Sequence, residues 1–175
     1  MTKTKLRIHT WPEKILRTPC KAVTTVDDSV RSVFDEMYRL MVRDKGVGLA
    51  ANQVGVNARL VLVEFDDKIF KLVNPSILKK EGSIRLLEGC LSFPGLEIEV
   101  TRSRRIVLSA LNERGQPREI EASNILAVIL QHEIDHIEGK AFISRIPLWQ
   151  KLKILPKIKA IELKTHHELS KQRKK

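Results

Sequence analysis

The sequence lacks the features that mark secreted, disulfide-rich and membrane-spanning proteins. Its 175 residues include two cysteines, Cys20 and Cys90, too few for the disulfide framework of a small secreted domain. No apolar run approaches the roughly 18 residues that a membrane-spanning helix needs. Residues 1–20 also lack the continuous apolar core of a secretory signal. We therefore expect a reduced, cytoplasmic, one-domain protein with no membrane partner.

Acidic residues are scarce relative to basic ones, and the imbalance is local. The chain has 32 Lys or Arg against 21 Asp or Glu, a net charge of +11. Residues 145–175 hold ten of the basic and two of the acidic residues, so this segment carries +8 of the total. We expect a folded domain at 1–146, no DNA partner, and a basic C-terminal tail at 147–175. Such a tail is typical of a segment that contacts RNA or an acidic partner, or of a solvated terminus.

Hydrophobic periodicity predicts two helices with short strands between them. Apolar residues recur every three to four positions over about 27–45 and again from about 123 into the 130s. Pro147 and Pro156 predict that the tail forms at most short helical pieces. Strands are predicted at 59–65, 69–73, 96–101, 105–111 and 118–121. This order predicts an α+β fold, with antiparallel sheets packed around the second helix.

The second predicted helix contains His132, Glu133 and His136 in the pattern HExxH. Helix residues four apart face the same side with Cβ atoms about 6 Å apart, so both imidazoles can bind one metal ion. Glu133 reaches the same cavity, where it can act as general base on a water at the metal. Because the flanking residues are apolar, the pattern indicates a buried metal site on a central helix.

A catalytic metal site of this kind needs a third protein ligand and one open position. Cys90 follows a glycine and precedes strand-like sequence, where a thiolate can meet the helix. Glu162 lies at the separation used by zinc peptidases with a downstream glutamate ligand, whereas Glu138 points away from the histidine face. The residues alone favour Cys90 and leave Glu162 open, and they suggest Zn²⁺ as the metal.

A third segment, GVGLAANQVG at 46–55, combines small residues with the polar side chain of Gln53. Adjacent glycines and alanines are typical of close backbone packing, including packing against an extended peptide. The Gln53 amide can donate to a developing oxyanion. The glycine spacing fits neither nucleotide-binding signature, and a helix stop followed by a turn explains the segment equally well.

Taken in order, GVGLAANQVG, EGCLS and QHEIDH resemble the three motifs of the peptide deformylases, and the resemblance covers about residues 5–146. It implies hydrolysis of the N-formyl group from the N-terminal formyl-methionine of newly synthesised proteins, with release of formate. It implies Cys90, His132 and His136 as metal ligands and Fe²⁺ as cofactor, for which Ni²⁺, Co²⁺ or Zn²⁺ can substitute. We expect a monomer in the bacterial cytoplasm.

The resemblance also implies roles for other positions. Glu133 would be the acid and base, while Gln53 and the backbone N–H of Leu91 would stabilise the oxyanion. Glu88 would fix Arg102 behind the metal ligands. The basic tail would be a candidate for docking on the ribosome, as in some bacterial members. The residues expected to contact substrate are glycines and apolar side chains: Gly46, Val47, Gly48, Leu86, Gly89, Ile125 and Ile129.

Two other functions remain open from the residues. A zinc endopeptidase would use Glu162 with the two histidines, and would keep its metal when Cys90 is replaced. A basic RNA- or ribosome-binding protein would retain HExxH as a structural feature, bind no stoichiometric metal and show a steep salt dependence of RNA binding. Metal content with and without Cys90 distinguishes these readings.

Overall fold

A computed structural model describes residues 6–172. Within this range the helices are α1 (Asp28–Arg43), α2 (Asn124–Ile137) and α3 (Leu148–Gln172), with short 3₁₀ helices at Lys14–Arg17, Ala51–Val54 and Phe142–Arg145. The strands are β1 (Gly48–Ala50), β2 (Leu60–Phe65), β3 (Lys68–Glu81), β4 (Ile84–Gly89), β5 (Glu97–Arg102), β6 (Arg105–Leu111) and β7 (Pro117–Ser123). The predicted α+β class is confirmed.

The strands form two antiparallel sheets. The larger has the order β1-β2-β3-β6-β7, and the smaller is the pair β4-β5. Its register, with Gly89 opposite Glu97, places Cys90 directly beyond the end of β4. Strand β1 lies at an edge of the larger sheet, where its outer side has no strand partner among the described residues. The end of β4 and the free side of β1 both border the site described below.

Helix α1 begins and ends close to the predicted positions. The Asp27 carboxylate accepts hydrogen bonds from the N–H groups of Ser29 and Val30 at 2.9 and 3.2 Å, which satisfies donors that the first helical turn leaves free. Phe34 and Met41 are fully buried on its inner face. This face packs against β1 and β2 and so supports the segment that contains Gln53.

Helix α2 lies in the middle of the fold. Ten of its fourteen residues are buried, and its apolar side chains share one core with those of the larger sheet. Gln131 ties the helix to the turn between β5 and β6, since its amide accepts from the Ser103 N–H and donates to the Ser103 carbonyl. The helix is therefore held on several sides, which restricts the movement of any side chain that it presents to the site.

The prediction for the C-terminal segment is wrong in one respect: α3 is a single helix of 25 residues. Pro147 precedes it and accepts from the N–H groups of Gln150 and Lys151, each at 3.1 Å, a position that proline tolerates. Pro156 lies inside the helix, where proline costs about 3 kcal/mol. Burial of Ile158 and Ile161 against the body, worth about 1.5–3 kcal/mol each, offsets that cost.

The strand predictions also differ from the structure in places. The sequence pattern predicts no strand at β1 or β4. It predicts a strand at 69–73, whereas β3 continues through Pro75 to Glu81. The run of small residues in β1 lacks the alternation that predicts a strand, and neighbouring β2 supplies its hydrogen bonds. Register shifts in β3 after Val73 and Ile77 accommodate the residue that cannot donate from its backbone. No helix within residues 6–172 is both long and apolar enough to cross a membrane.

Candidate metal centre

Three side chains from two elements meet at one point. Cys90 follows β4, and His132 and His136 lie one turn apart on α2. A ligand atom from each of the three lies within 4.8 Å of the others. Cys90 Sγ is 3.2 Å from His136 Nε2, and the two imidazole centroids are 5.0 Å apart. One sulfur and two nitrogens converging in this way match the donor set of a transition-metal site with an open position.

The electrostatics of this cluster fit a bound cation. Burial opposes protonation of His132, yet its hydrogen bonds with Cys90 and Glu88 outweigh burial and raise its pKa to about 10. Burial and the neighbouring charge of His132 lower the pKa of His136 well below its usual value. The surroundings therefore favour a positive charge on His132 and a neutral His136. A metal ion would supply that charge while both rings remain neutral ligands.

Glu133 lies on the same turn of α2 with its carboxylate against the backbone of Gly48. A Cβ atom on Gly48 would lie 2.6 Å from Glu133 Oε1, so any larger residue at this position would displace the carboxylate. Glu133 is 5% exposed, and its Oε2 has no hydrogen-bond partner among the described residues. Burial raises its pKa to about 7. A carboxylate with this pKa can both accept and return a proton near neutral pH.

Glu88 and Arg102 form a buried ion pair behind the cluster. Arg102 Nε donates to Glu88 Oε1 at 2.5 Å and Nη2 to Oε2 at 2.9 Å. Glu88 Oε2 also lies 2.7 Å from His132 Nδ1. A carboxylate at Nδ1 favours the tautomer with the proton on that nitrogen, which leaves Nε2 free to bind a metal. The pair thus lies directly behind the His132 ring, in contact with its Nδ1.

The Gln53 amide is fixed at both ends. Its Oε1 accepts from the Ala50 N–H at 2.8 Å, while its Nε2 donates to Ser92 Oγ at 3.1 Å and lies 3.5 Å from Cys90 Sγ. The first contact assigns the oxygen and nitrogen of the amide. The donor end therefore points towards Cys90, as an oxyanion-binding amide would need to do. Ser92, which the sequence did not single out, is its partner.

The cluster opens into a cleft of about 610 Å³. Its walls include Glu133, Gln53, Leu91 and four of the seven residues expected to contact substrate: Gly46, Val47, Gly48 and Gly89. Leu86, Ile125 and Ile129 do not line this cleft. Val47 and Ile125 are 56% and 53% exposed, so both remain available to a bound molecule. Lys45 and Glu97 add charge to the cleft walls.

Comparison with known proteins agrees with this geometry. The family model for polypeptide deformylase matches residues 5–152. The chain belongs to the polypeptide deformylase family. The peptide deformylase of Aquifex aeolicus is 38% identical over 84% of this chain and 90% of its own length; that of Acetivibrio thermocellus is 42% identical over 77% and 79%. The crystal structure of peptide deformylase from Thermus thermophilus, 33% identical, superposes with a TM-score of 0.87 over 92% of this chain and 97% of that one.

Members of the deformylase family are metal-dependent hydrolases that act on an N-formyl amide. Membership in this family therefore argues against the peptidase alternative. In that reading Glu162 is a metal ligand. In the structure Glu162 Oε1 instead accepts from Trp11 Nε1 at 2.9 Å, and the metal-ligating group found among residues 6–172 is Cys90 with the two histidines. Glu162 therefore serves to attach α3 to the N-terminal segment of this deformylase.

The sequence did not single out several residues that lie near the site. Asp135 lies between the two histidines, is 4% exposed and binds both Arg102 and Arg145. Phe142 packs against the His132 ring. Asn52 is fully buried and donates from Nδ2 to the His136 carbonyl at 2.5 Å. The position of Asp135 within QHEIDH was a signal that could have been used, because a second acidic residue on a buried helix needs a partner.

Proposed function

We propose that this deformylase hydrolyses the N-formyl group of formyl-methionine at the N-terminus of nascent peptides and releases formate. One observation carries the proposal: Cys90, His132 and His136 converge beside the buried carboxylate of Glu133 at the base of a single cleft. A metal-ligating group with a general base next to it is suited to hydrolysis of an amide. The names of the relatives agree with this reaction.

Cys90, His132 and His136 would hold the metal, with Fe²⁺ as the proposed ion and Ni²⁺, Co²⁺ or Zn²⁺ as substitutes. A bound divalent cation supplies Lewis acidity, which lowers the pKa of water and polarises an acyl oxygen. The thiolate is compatible with Fe²⁺ as well as Zn²⁺, so the choice of iron rests on family membership. Cys90 would be sensitive to oxidation when the metal is absent.

Glu133 would transfer the proton in both halves of the reaction. As a carboxylate it takes a proton from the attacking water, and as a carboxylic acid it returns that proton to the leaving amine. Its pKa of about 7, raised by burial, suits both states. Contact with Gly48 limits the directions in which the carboxylate can turn. The movement of the base is therefore restricted on the side of Gly48.

Gln53 and Leu91 would stabilise the charge that builds on the formyl oxygen. The Gln53 Nε2 group is already oriented by Ala50 and Ser92, so its second hydrogen can meet the oxyanion without reorganisation. The backbone N–H of Leu91 is the second proposed donor, on the residue next to Cys90. Removing one such donor from a hydrolase costs about 2.7–4 kcal/mol of transition-state stabilisation.

The free side of β1 provides a place for the peptide backbone. An extended peptide can add to an exposed sheet edge through main-chain hydrogen bonds, and Gly46, Gly48 and Gly89 border the cleft on its two sides. We propose that the substrate lies between them, with its methionine against Val47, Leu86, Ile125 and Ile129. Small residues at the border let the two backbones approach closely.

The decisive assay is formate release from a formyl-Met tripeptide, with protein purified without oxygen and supplied with Fe²⁺ or Ni²⁺. We expect release that is absent with the acetyl-Met analogue, because the acetyl group is larger and less electrophilic than formyl. Protein that binds one metal per chain and releases no formate would contradict the proposal.

Metal content tests the ligand set. Cys90→Ser should lose stoichiometric metal, whereas Glu162→Ala should keep it, because Glu162 bonds to Trp11. The peptidase alternative predicts the opposite pair of results. An RNA-binding protein with a structural HExxH would hold no stoichiometric metal in the parent either.

We also propose that the chain has two parts with different roles. Residues 1–146 contain all the proposed catalytic groups, and the basic segment 147–175 would dock the enzyme on the ribosome. The enzyme would act as a monomer in the bacterial cytoplasm. The segment carries a net charge of +7, and many lysines of α3 are exposed. Removal of α3 would be a poor test, because Ile158 and Ile161 complete a core shared with Phe93 and Phe142. Charge substitutions on its surface avoid that problem.

The docking test replaces Lys157, Lys159 and Lys164 together by alanine and measures co-sedimentation with ribosomes across a salt series. A control variant replaces Lys14, Lys21 and Lys68, which are equally numerous and also exposed. Binding through α3 predicts weaker pelleting and a shallower salt dependence for the first variant alone. Equal pelleting of the two variants at moderate salt would contradict docking through α3.

A further inference from the structure

The short helix Phe142–Arg145, between α2 and α3, contacts the candidate metal centre by two routes. Its first residue packs against the His132 ring, with 5.5 Å between ring centroids. Its last residue, Arg145, binds the buried carboxylate of Asp135 on α2. The same four-residue segment thus touches one proposed metal ligand directly and a neighbour of the other.

The second route is an unbroken chain of ion pairs. Arg145 donates from Nε to Asp135 Oδ2 at 2.9 Å and from Nη2 to Oδ1. Asp135 Oδ2 also accepts from Arg102 Nη1 at 2.8 Å. Arg102 binds both oxygens of Glu88, and Glu88 lies 2.7 Å from His132 Nδ1. The charges alternate in sign from Arg145 to Glu88, so each member is held by its neighbours.

Burial makes the inner members dependent on one another. The side chains of Arg102, Glu88 and Asp135 are 3%, 5% and 6% exposed, whereas that of Arg145 is 38% exposed. A buried charge that loses a partner is strongly unfavourable. Without Arg145, the Asp135 carboxylate would have Arg102 as its remaining positive partner and would attract it more strongly. This would weaken the ion pair between Arg102 and Glu88.

We propose that Arg145 is a positioning residue that holds the His132 ring, through this ion-pair chain, in the orientation and tautomer suited to metal binding. The proposal rests on the proposed function, because it takes His132 as a metal ligand. A carboxylate at the Nδ1 of a ligating histidine fixes the ring and makes the other nitrogen a better donor. Arg145 extends that effect from the buried pair to the partly exposed residue at the start of the α3 connection.

The test compares the full-length parent with Arg145→Gln, with Arg145→Lys and with Arg31→Gln as a matched control. Arg31 is 41% exposed and also pairs with a carboxylate, that of Asp28 on α1. Each protein is loaded with Co²⁺ and measured for its visible absorption spectrum and for the rate at which a chelator removes the metal. Thermal unfolding of the metal-free proteins reports any loss of stability separately.

We expect Arg145→Gln to release Co²⁺ about tenfold faster than the parent, within the 10- to 100-fold range typical of residues behind metal ligands, and to shift its absorption bands. Arg145→Lys keeps the charge but loses the two-point contact, so its release should be about threefold faster. With formyl-peptide substrate, kcat should fall while KM stays unchanged. The Arg31→Gln control should match the parent in spectrum, release rate and kinetics.

A spectrum and release rate like those of the parent in Arg145→Gln, whatever its melting temperature, would overturn the positioning role. If that variant does not fold, the lysine variant decides, and release at the parent rate would overturn the role equally. A parent that binds no Co²⁺ would overturn the proposed metal centre and this proposal with it. If the parent binds Co²⁺ and the Arg145 variants match it in spectrum and release rate, the positioning role is overturned and the proposed metal centre is not.

Discussion

Ten of the fourteen residues of α2 are buried, whereas α3, the next long helix, leaves much of its apolar surface exposed. On α2 the buried set includes His132, Glu133 and His136 of HExxH and, within the same motif, Asp135. On α3 the buried set is Ile158, Ile161 and Thr165. The large apolar residues of α3 that are at least 40% exposed are Leu148, Trp149, Leu152, Leu155 and Leu163.

The two helices also differ in how their charges are balanced. On α2, Asp135 meets partners of opposite sign inside the protein, Arg102 and Arg145. The lysines of α3 mostly face solvent and add net positive charge. A buried polar side chain is costly unless it is hydrogen-bonded or paired with an opposite charge. The buried polar side chains of α2 therefore indicate a functional site. An exposed charge on α3 indicates at most a surface for a partner.

The largest expected effect comes from removing the base on α2. Glu133→Gln should keep the fold and the metal, because glutamine has nearly the same shape, and should lower kcat about 10²- to 10⁴-fold through loss of proton transfer. Formate release from the formyl-Met tripeptide is the measurement, with circular dichroism as the control for folding. Activity within a few-fold of the parent would show that Glu133 is not the base.

Gly48→Ala tests how tightly β1 fits that base. The new Cβ would lie 2.6 Å from Glu133 Oε1, so the carboxylate must move, and a displacement of about 1 Å can cost 10²-fold in rate. We expect a large fall in kcat with metal content unchanged. The matched control is Gly95→Ala, where the added Cβ has no atom within 4 Å, although the positive φ of 75° gives it a small strain of its own.

Truncation of an α3 core residue should affect stability before catalysis. Ile161 is 8% exposed and belongs to the core that contains Phe93 and Phe142, so Ile161→Ala should lower the free energy of unfolding by about 2–3 kcal/mol. For a chain of this length each kcal/mol shifts Tm by about 2–4 °C. Leu163→Ala is the control, since Leu163 is 72% exposed. Equal Tm values would mean that α3 does not pack as described.

Pro156→Ala should strengthen α3. Alanine restores the missing N–H and relieves the clash with the preceding turn, while the unfolded chain gains freedom that offsets part of the benefit. We expect a net stabilisation of about 1–2 kcal/mol, seen as a higher Tm with unchanged formate release. A lower Tm would show that the proline shapes the helix to fit the body.

Cys20 lies in the core beneath α2. Its N–H donates to the Ile137 carbonyl at the end of α2, and burial raises its thiol pKa to about 11. Because the pKa is raised, the stability gained by keeping the thiol neutral persists below pH 9 and is lost as pH approaches 11. In a Cys90→Ser background at pH 8, alkylation should be about 100-fold slower than in unfolded protein.

The order of elements and most of the candidate site were predictable from the sequence, for physical reasons that particular residues make clear. HExxH has its meaning because helix geometry alone brings residues 132 and 136 to one face, and Asp27 predicts a helix start because its carboxylate caps local N–H groups. Strand β1 and the long helix α3 escaped prediction. The first depends on hydrogen bonds from β2, and the second on contacts with distant core residues.

What the sequence determined by itself is therefore local: two helices, the alternating strands, and the types of side chain available for metal and acid–base chemistry. The tertiary structure decided which of those side chains meet. It placed Cys90 rather than Glu162 beside the histidines, set Glu133 against Gly48, and joined Arg145 to His132 through buried charges. Such meetings depend on the packing of segments far apart in the chain, which spacing within one segment does not encode.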